Sequence, residues 1–215
     1  EQVTLTRFEL NLKGKRNFFL EGSEIYAQRI KLFYSRRIGD IDGGFKVYGK
    51  SGGLEFSGMS ARTKRDEATG ADPANYTVFR LKKDVLSSSS FGFLAANRLV
   101  GGENTGTAGF DAALNFTDKL KFTGQFALSY GDRNKDNLAF FLRPAYETST
   151  FHFHVRYSQL GANFGDNANT VGFVSDDNRR ELDSALEKTW WLKRGVLERI
   201  AYDPADAPSL PLCLD

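Results

Sequence analysis

LKFTGQFALSY, residues 120–130, separates into two interleaved sets. One is Leu120, Phe122, Gly124, Phe126, Leu128 and Tyr130; the other is Lys121, Thr123, Gln125, Ala127 and Ser129. Successive side chains of a strand point to opposite faces, so this stretch reads as a strand with one apolar face and one polar or small face. Its length carries more information than its alternation. Soluble strands run about five or six residues, whereas strands that cross a bilayer need about nine to eleven.

The same pattern extends in both directions. GFDAALNF, residues 109–116, sets Phe110, Ala112, Leu114 and Phe116 against Asp111, Ala113 and Asn115, and TDK turns it into the strand above. LAFFLRPAY (138–146) and FHFHVRYSQL (151–160) follow, with Phe151, Phe153, Val155 and Tyr157 opposing His152, His154, Arg156 and Ser158. Upstream, IKLFYSR (30–36) reads as a short strand, GFKVYGK and LEFSGMSAR flank the hairpin signal SGG, and NYTVFRLKKDV and FGFLAANRLV add two more strands. GGENTGT (101–107), KRDEATGADPAN (64–75) and GDRNKDN (131–137) read as turns or loops, and GANFGDNANTVGFVSDDN (161–178) as a long loop. The resulting organisation is a lead-in segment over 1–29, a β-barrel domain over 30–203 and a disordered tail over 204–215. About ten or eleven strand candidates are present, arranged as an antiparallel meander. Residues 180–202 fit either a helix, with Leu182, Leu186 and Trp190 at four-residue spacing, or two strands joined at LKRG.

Composition narrows the class. The 215 residues include 19 Phe, 8 Tyr and 21 Gly against a single Met, a β-leaning balance. Lys plus Arg number 29 and Asp plus Glu 27, a near balance that argues against nucleic acid as a partner. With one cysteine, Cys213, there is no intrachain disulfide and no multi-cysteine metal site. No stretch of about 20 apolar residues exists for a transmembrane helix. Alternation averages away in such a window, so a membrane barrel stays open.

A half-apolar strand buries its apolar face in a protein core or in lipid. Here the polar faces carry Ala, Ser, Gln, Asn, His and Arg over several neighbouring strands, as a hydrated barrel lumen would. Tyr130, Tyr146, Tyr157 and Trp190 stand near strand ends, where a membrane-interface girdle places aromatics. The sequence therefore favours an all-β, up-and-down transmembrane β-barrel, or an incomplete part of one. A soluble sandwich or open-barrel carbohydrate-binding module and an envelope hydrolase with lumen carboxylates are the rivals.

Chemistry-bearing residues are sparse. His152 and His154 share one face at a spacing that can hold a metal, but no third His or cysteine cluster accompanies them, so they read as polar lumen wall, with Arg156 beside them. Arg36 and Arg37, and Lys15 and Arg16 ahead of Phe18, can meet an anionic lipopolysaccharide or sugar acid, or pair with Glu21 and Glu24 and fasten the lead-in segment inside the barrel. Asp111 is the one clear acid on the central polar faces, too little for a paired-carboxylate hydrolase. No catalytic, metal or cofactor-binding residues are assigned.

RNFFLEGSEIY (16–26) and LFYSRRIGDIDGGFKVYGKSGGLEFSGMSART (32–63) resemble an uncharacterised bacterial outer-membrane family, in which a β-barrel domain of unknown function follows a domain similar to family 9 carbohydrate-binding modules. The matching positions are Phe18 to Gly22, Leu32 to Gly39, and Gly43, Gly44, Lys46 and Gly49. VFRLKKDV, SSFGFLAANR and GFVSDDNRREL fit the family's later order. The resemblance implies a barrel in the outer membrane of a Gram-negative cell, with membrane lipid or lipopolysaccharide and a glycan as partners, a structural or transport-related role and no known reaction. It implies strands over 180–202. The chain lacks the carbohydrate-binding-like domain and ends SLPLCLD where such barrels finish on an aromatic strand. It is expected to be a truncated product, with closure of its barrel left open.

Overall fold

The computed structural model describes residues 17–65, 70–86, 88–194, 197–202 and 210–211. Ten strands follow in chain order: β1 (Ile41–Ser51), β2 (Leu54–Thr63), β3 (Asn75–Val85), β4 (Ser89–Val100), β5 (Glu103–Asn115), β6 (Leu120–Tyr130), β7 (Leu138–Glu147), β8 (Phe151–Leu160), β9 (Arg179–Arg194) and β10 (Leu197–Tyr202). Each pairs antiparallel with the next, so the expected all-β meander is the observed fold. A two-residue strand, β11 (Leu210–Pro211), pairs with β9 at Leu182 and Glu181. The rest of the tail expected to be disordered lies outside the described residues. Among the described residues β1 and β10 do not pair, and the sheet is open.

Local chemistry sets the turns. Gly52 (φ 54°) and Gly53 (φ 73°) join the paired residues Ser51 and Leu54. Gly101 and Gly102, also at positive φ, join Val100 to Glu103. Two successive left-handed residues match the twist of the flanking strands and suit glycine. The turn expected over GGENTGT is thus confined to its two glycines, and Glu103 to Thr107 belong to β5. The described residues within 180–202 form strands: β9 is laid against β8 from Arg179 to Lys188, and ladder pairing overrides the helix propensity of RELDSALEK.

From Gln125 to Ser129 the polar face of β6 is the covered one: Gln125 is 4 % and Ala127 and Ser129 are 0 % exposed, whereas Phe126 on the apolar face is 50 % exposed. Register carries this across the sheet. Asp111 pairs Gln125, Gln125 pairs Phe141, and Phe141 pairs Ser158, all on the inner face. Phe93, Phe110, Phe126 and Phe140 are cross-strand partners on the outer face.

What buries the inner face is the chain's own amino-terminal segment. It contains a one-turn helix, α1 (Asn17–Leu20), and two 3₁₀ turns, Ser23–Tyr26 and Ser35–Arg37. The β8–β9 connection, with helix α2 (Phe164–Ala168), packs beside it. The core joins Phe19, Tyr26, Ile30, Leu32 and Ile38 of the segment to Met59, Val78, Leu94, Ala96, Ala127 and Phe141 of the sheet and to Phe164 and Val171 of the connection. Small inner residues admit this close approach. A Cβ on Gly109 would stand 2.8 Å from Leu32 Cδ1 and 2.5 Å from the Phe126 carbonyl oxygen.

The strand expected over IKLFYSR does not form. Residues 30–36 make one isolated bridge, Lys31 to Phe173, and then a 3₁₀ turn. The reason is the lining of the inner wall. Gln125 receives the Ile30 N–H and donates to the Ile30 carbonyl, at 2.7 and 2.8 Å, and the Thr107 hydroxyl donates to the Leu32 carbonyl at 2.8 Å. Side chains thus take up backbone groups that a neighbouring strand would otherwise pair. The loop expected over 161–178 contains α2, whose Phe164 and Ala168 are fully buried.

Candidate functional site: the inner wall

The inner wall divides into a covered half and a charged half. In the covered half Arg80 of β3 is 1 % exposed. Its Nε donates to the Ile25 carbonyl at 2.9 Å, and its two terminal nitrogens meet the Asp111 carboxylate, one at 3.0 Å. Gln28 Nε2 donates to the same carboxylate at 2.6 Å. A planar guanidinium suits this place, because it satisfies a carboxylate and a backbone carbonyl with fixed donors. Gly92 makes room for the pair, since a Cβ there would lie 2.6 Å from Arg80 NH1 and 2.8 Å from Asp111 Oδ2. Tyr26 and Ser57 share a buried hydrogen bond, and desolvation raises the Tyr26 phenol above the usual tyrosine range. Lys46 of β1 donates to the Phe18 carbonyl at 3.0 Å and also to that of Glu21. A cavity of about 220 Å³ lies beneath residues 24–29 and is lined by Gln28, Arg80, Lys82, Asp111 and Gln125 among others.

The charged half runs along β7, β8 and β9. Lys121 meets Glu147, and Glu147 Oε1 lies 3.7 Å from His152 Nδ1. His152 Nε2 and His154 Nδ1 are hydrogen-bonded to each other at 2.9 Å. His154 Nε2 stands 3.9 Å from Asp183, which also binds Arg156 at 2.5 Å. Arg156 reaches Glu181 at 3.5 Å, and Arg179 reaches the other oxygen of Glu181 at 3.8 Å. The parity of the antiparallel register puts all these side chains on one face. Arg156 Nε is buried without a hydrogen-bond partner. The β7–β8 ladder lapses at Arg143 and Pro144, where proline offers no N–H.

His152, His154 and Arg156 are therefore brought together as one strip of inner wall. Among the described residues no three His, Cys, Asp or Glu side chains gather into a metal-ligating set. Arg36 is exposed on its 3₁₀ turn and stands apart from the strip. Arg37 fastens the amino-terminal segment, with partners other than the expected Glu21 and Glu24. Its Nε donates to the Gly172 carbonyl at 3.0 Å and its NH2 to Asn169 Oδ1 at 3.3 Å, while its own carbonyl accepts from the Tyr76 hydroxyl. Lys15 and Arg16 lie outside the described residues.

The four singled-out aromatics all face outward. Tyr146, beside Phe151, and Trp190, opposite Ile200, are at the tight-turn end of the strands. Tyr130, whose hydroxyl donates to Asn97, and Tyr157, against Phe140, lie toward the other end. Sequence reasoning missed Arg80, Gln28 and Gln125. Arg80 shares strand parity with Tyr76 and Val78, so its alternation alone reads as an interruption of a buried face.

A model of a domain of unknown function (DUF5916) matches residues 1–51, which comprise the amino-terminal segment and β1. No curated protein and no solved structure matches the chain.

Proposed function

We propose that this chain is wall and internal plug of a transmembrane β-barrel in a bacterial outer membrane, with a structural or transport-related role and no catalytic chemistry. One observation carries the reading: the outer face is apolar on neighbouring strands throughout the sheet. Phe45 is 67 %, Phe110 62 % and Trp190 47 % exposed, and Phe79, Phe91, Leu138, Leu142, Phe153 and Leu186 join them. Monomeric soluble proteins rarely expose contiguous apolar patches beyond a few hundred Å². Lipid accepts such a face, the backbone polar groups of β2 to β9 are paired within the ladder, and in this reading the edges at β1 and β10 are closed by further strands. Strand lengths of 10 to 13 residues from β1 to β8 suit the tilted crossing of a bilayer. The aromatics near both strand ends fit interface girdles. Among the described residues no helix is long and apolar enough to cross a membrane, so any crossing falls to the strands.

In this reading lipid or lipopolysaccharide is the outer partner, and the amino-terminal segment fills part of the lumen. The test is refolding from denaturant into detergent micelles, followed by gel migration without boiling. A faster-migrating, heat-sensitive band is expected. Migration indifferent to boiling, with full solubility in plain buffer, would refute the membrane wall.

A further inference from the structure

Resting on the barrel reading, we propose that the charged strip along β7–β9 is the hydrated route through this wall, passing small hydrophilic ions with little charge preference at neutral pH. The amino-terminal segment bonds to β1 through Lys46, β2 through Ser57, β3 through Arg80, β5 through Thr107 and Asp111, and β6 through Gln125. It closes that side. On β7–β9 the side chains of Glu147, His152, Arg156, Glu181 and Asp183 are 23 to 30 % exposed and that of His154 14 %, against 2 % for Arg80 and 24 % for Asp111 beneath the segment.

The strip also has the right length. It follows β8 from His152, beside the Thr148–Thr150 turn, to Arg179 opposite Leu160. The nine residues from His152 to Leu160 make eight steps of about 3.4 Å, roughly 27 Å in all, and a strand tilted about 35–45° then rises roughly 19–22 Å, most of the apolar band of about 25 Å of a membrane barrel. At its far end it meets a cavity of about 110 Å³ lined by Arg29, Lys31, Ser158, Asp176, Arg179 and Glu181. Polar groups are thus continuous from one edge of the wall to the other, with successive separations no longer than 3.9 Å.

Charge sets the selectivity. The groups facing the strip are Lys121 of β6, Arg143 and Glu147 of β7, His152, His154 and Arg156 of β8, and Arg179, Glu181, Asp183 and Glu187 of β9. Four cations meet four carboxylates on the strands, and Arg29, Lys31 and Asp176 join them at the far cavity, so the charges along the route nearly balance.

The test uses the full chain refolded into vesicles, with Cys213→Ser as background. Single cysteines replace Asp183, Glu187, Ala96 or Thr107, and each is exposed to a charged methanethiosulfonate reagent. Labelling at 183 and 187 is expected at least tenfold faster than at 96 and 107. Equal rates, or faster labelling at 96 and 107, would overturn the route. In planar bilayers, permeability to chloride over potassium is expected near one at neutral pH. A strong preference for either ion, or an insulating bilayer containing the folded protein, would also overturn it. Absence of strand circular dichroism in vesicles would instead remove the barrel reading beneath it.

Discussion

Removing Asp111 should release the amino-terminal segment as well as weaken the sheet. The Arg80 side chain is 2 % and the Asp111 side chain 24 % exposed, so Asp111→Ala leaves a guanidinium charge in a nearly dry site. Breaking a buried pair on one side costs about 3–5 kcal/mol. The quarter of Asp111 open to solvent admits water to the vacated place and puts the expectation at the lower end, about 3 kcal/mol. Arg80→Met/Asp111→Leu removes both charges and should cost much less than the two single changes summed, because no unpaired charge remains. Urea unfolding followed by circular dichroism measures both values, provided the transitions are two-state. Hydrogen exchange over residues 25–32 supplies a second reading, since Arg80 holds the Ile25 carbonyl and Gln28 shares the carboxylate. A loss below about 1 kcal/mol in Asp111→Ala, or strict additivity in the double variant, would show that the pair does not tie the segment to the wall.

Gln125→Leu strips the partner from the Ile30 N–H and leaves the Ile30 carbonyl with the Leu32 N–H at 3.0 Å, so a loss of about 1–3 kcal/mol is expected for the one amide left buried and unpaired, and that amide should lose exchange protection. Gly109→Val places side-chain atoms where Leu32 packs; a loss of about 1–3 kcal/mol and faster proteolysis within residues 30–36 are expected. Phe126→Arg should destabilise the protein in bilayers by about 2–4 kcal/mol if that position sits near the midplane, whereas in a water-facing sheet it would change little. The raised pKa of Tyr26 means that the folded state holds the phenol proton more tightly than the unfolded chain does. Its contribution is therefore complete below the unfolded value of about 10 and is lost as pH climbs through the higher folded value, a decline that Tyr26→Phe should abolish.

The meander was legible because alternation is local. LKFTGQFALSY declares its two faces without reference to any neighbour, and the glycine pairs at 52–53 and 101–102 declare their hairpins. IKLFYSR shows where local reading stops. Its β-prone residues lie against Thr107 and Gln125, whose side chains imitate a strand partner from some 75 and 95 positions away along the chain. Residues 180–188 gave opposite local and contextual signals, and the β8 ladder decided between them. In the site, His152, His154 and Arg156 were visible as one face of one strand. The carboxylates that complete the strip come from other strands, and only register brings Glu147, Asp183 and Glu181 alongside. Arg80 and Asp111 were invisible as a pair for the same reason: β4 lies between them, and only the space left by Gly92 lets them meet.

Sidedness can be measured directly with nitroxide labels on cysteines placed one at a time at Phe126 and Thr123, on opposite faces of β6, in vesicle-reconstituted protein carrying Cys213→Ser. A label at 126 should be relaxed strongly by oxygen and weakly by a water-soluble nickel chelate, because oxygen partitions into hydrocarbon; a label at 123 should show the opposite ratio. Equal access of the nickel chelate to both positions would place the outer face in water and contradict the membrane wall.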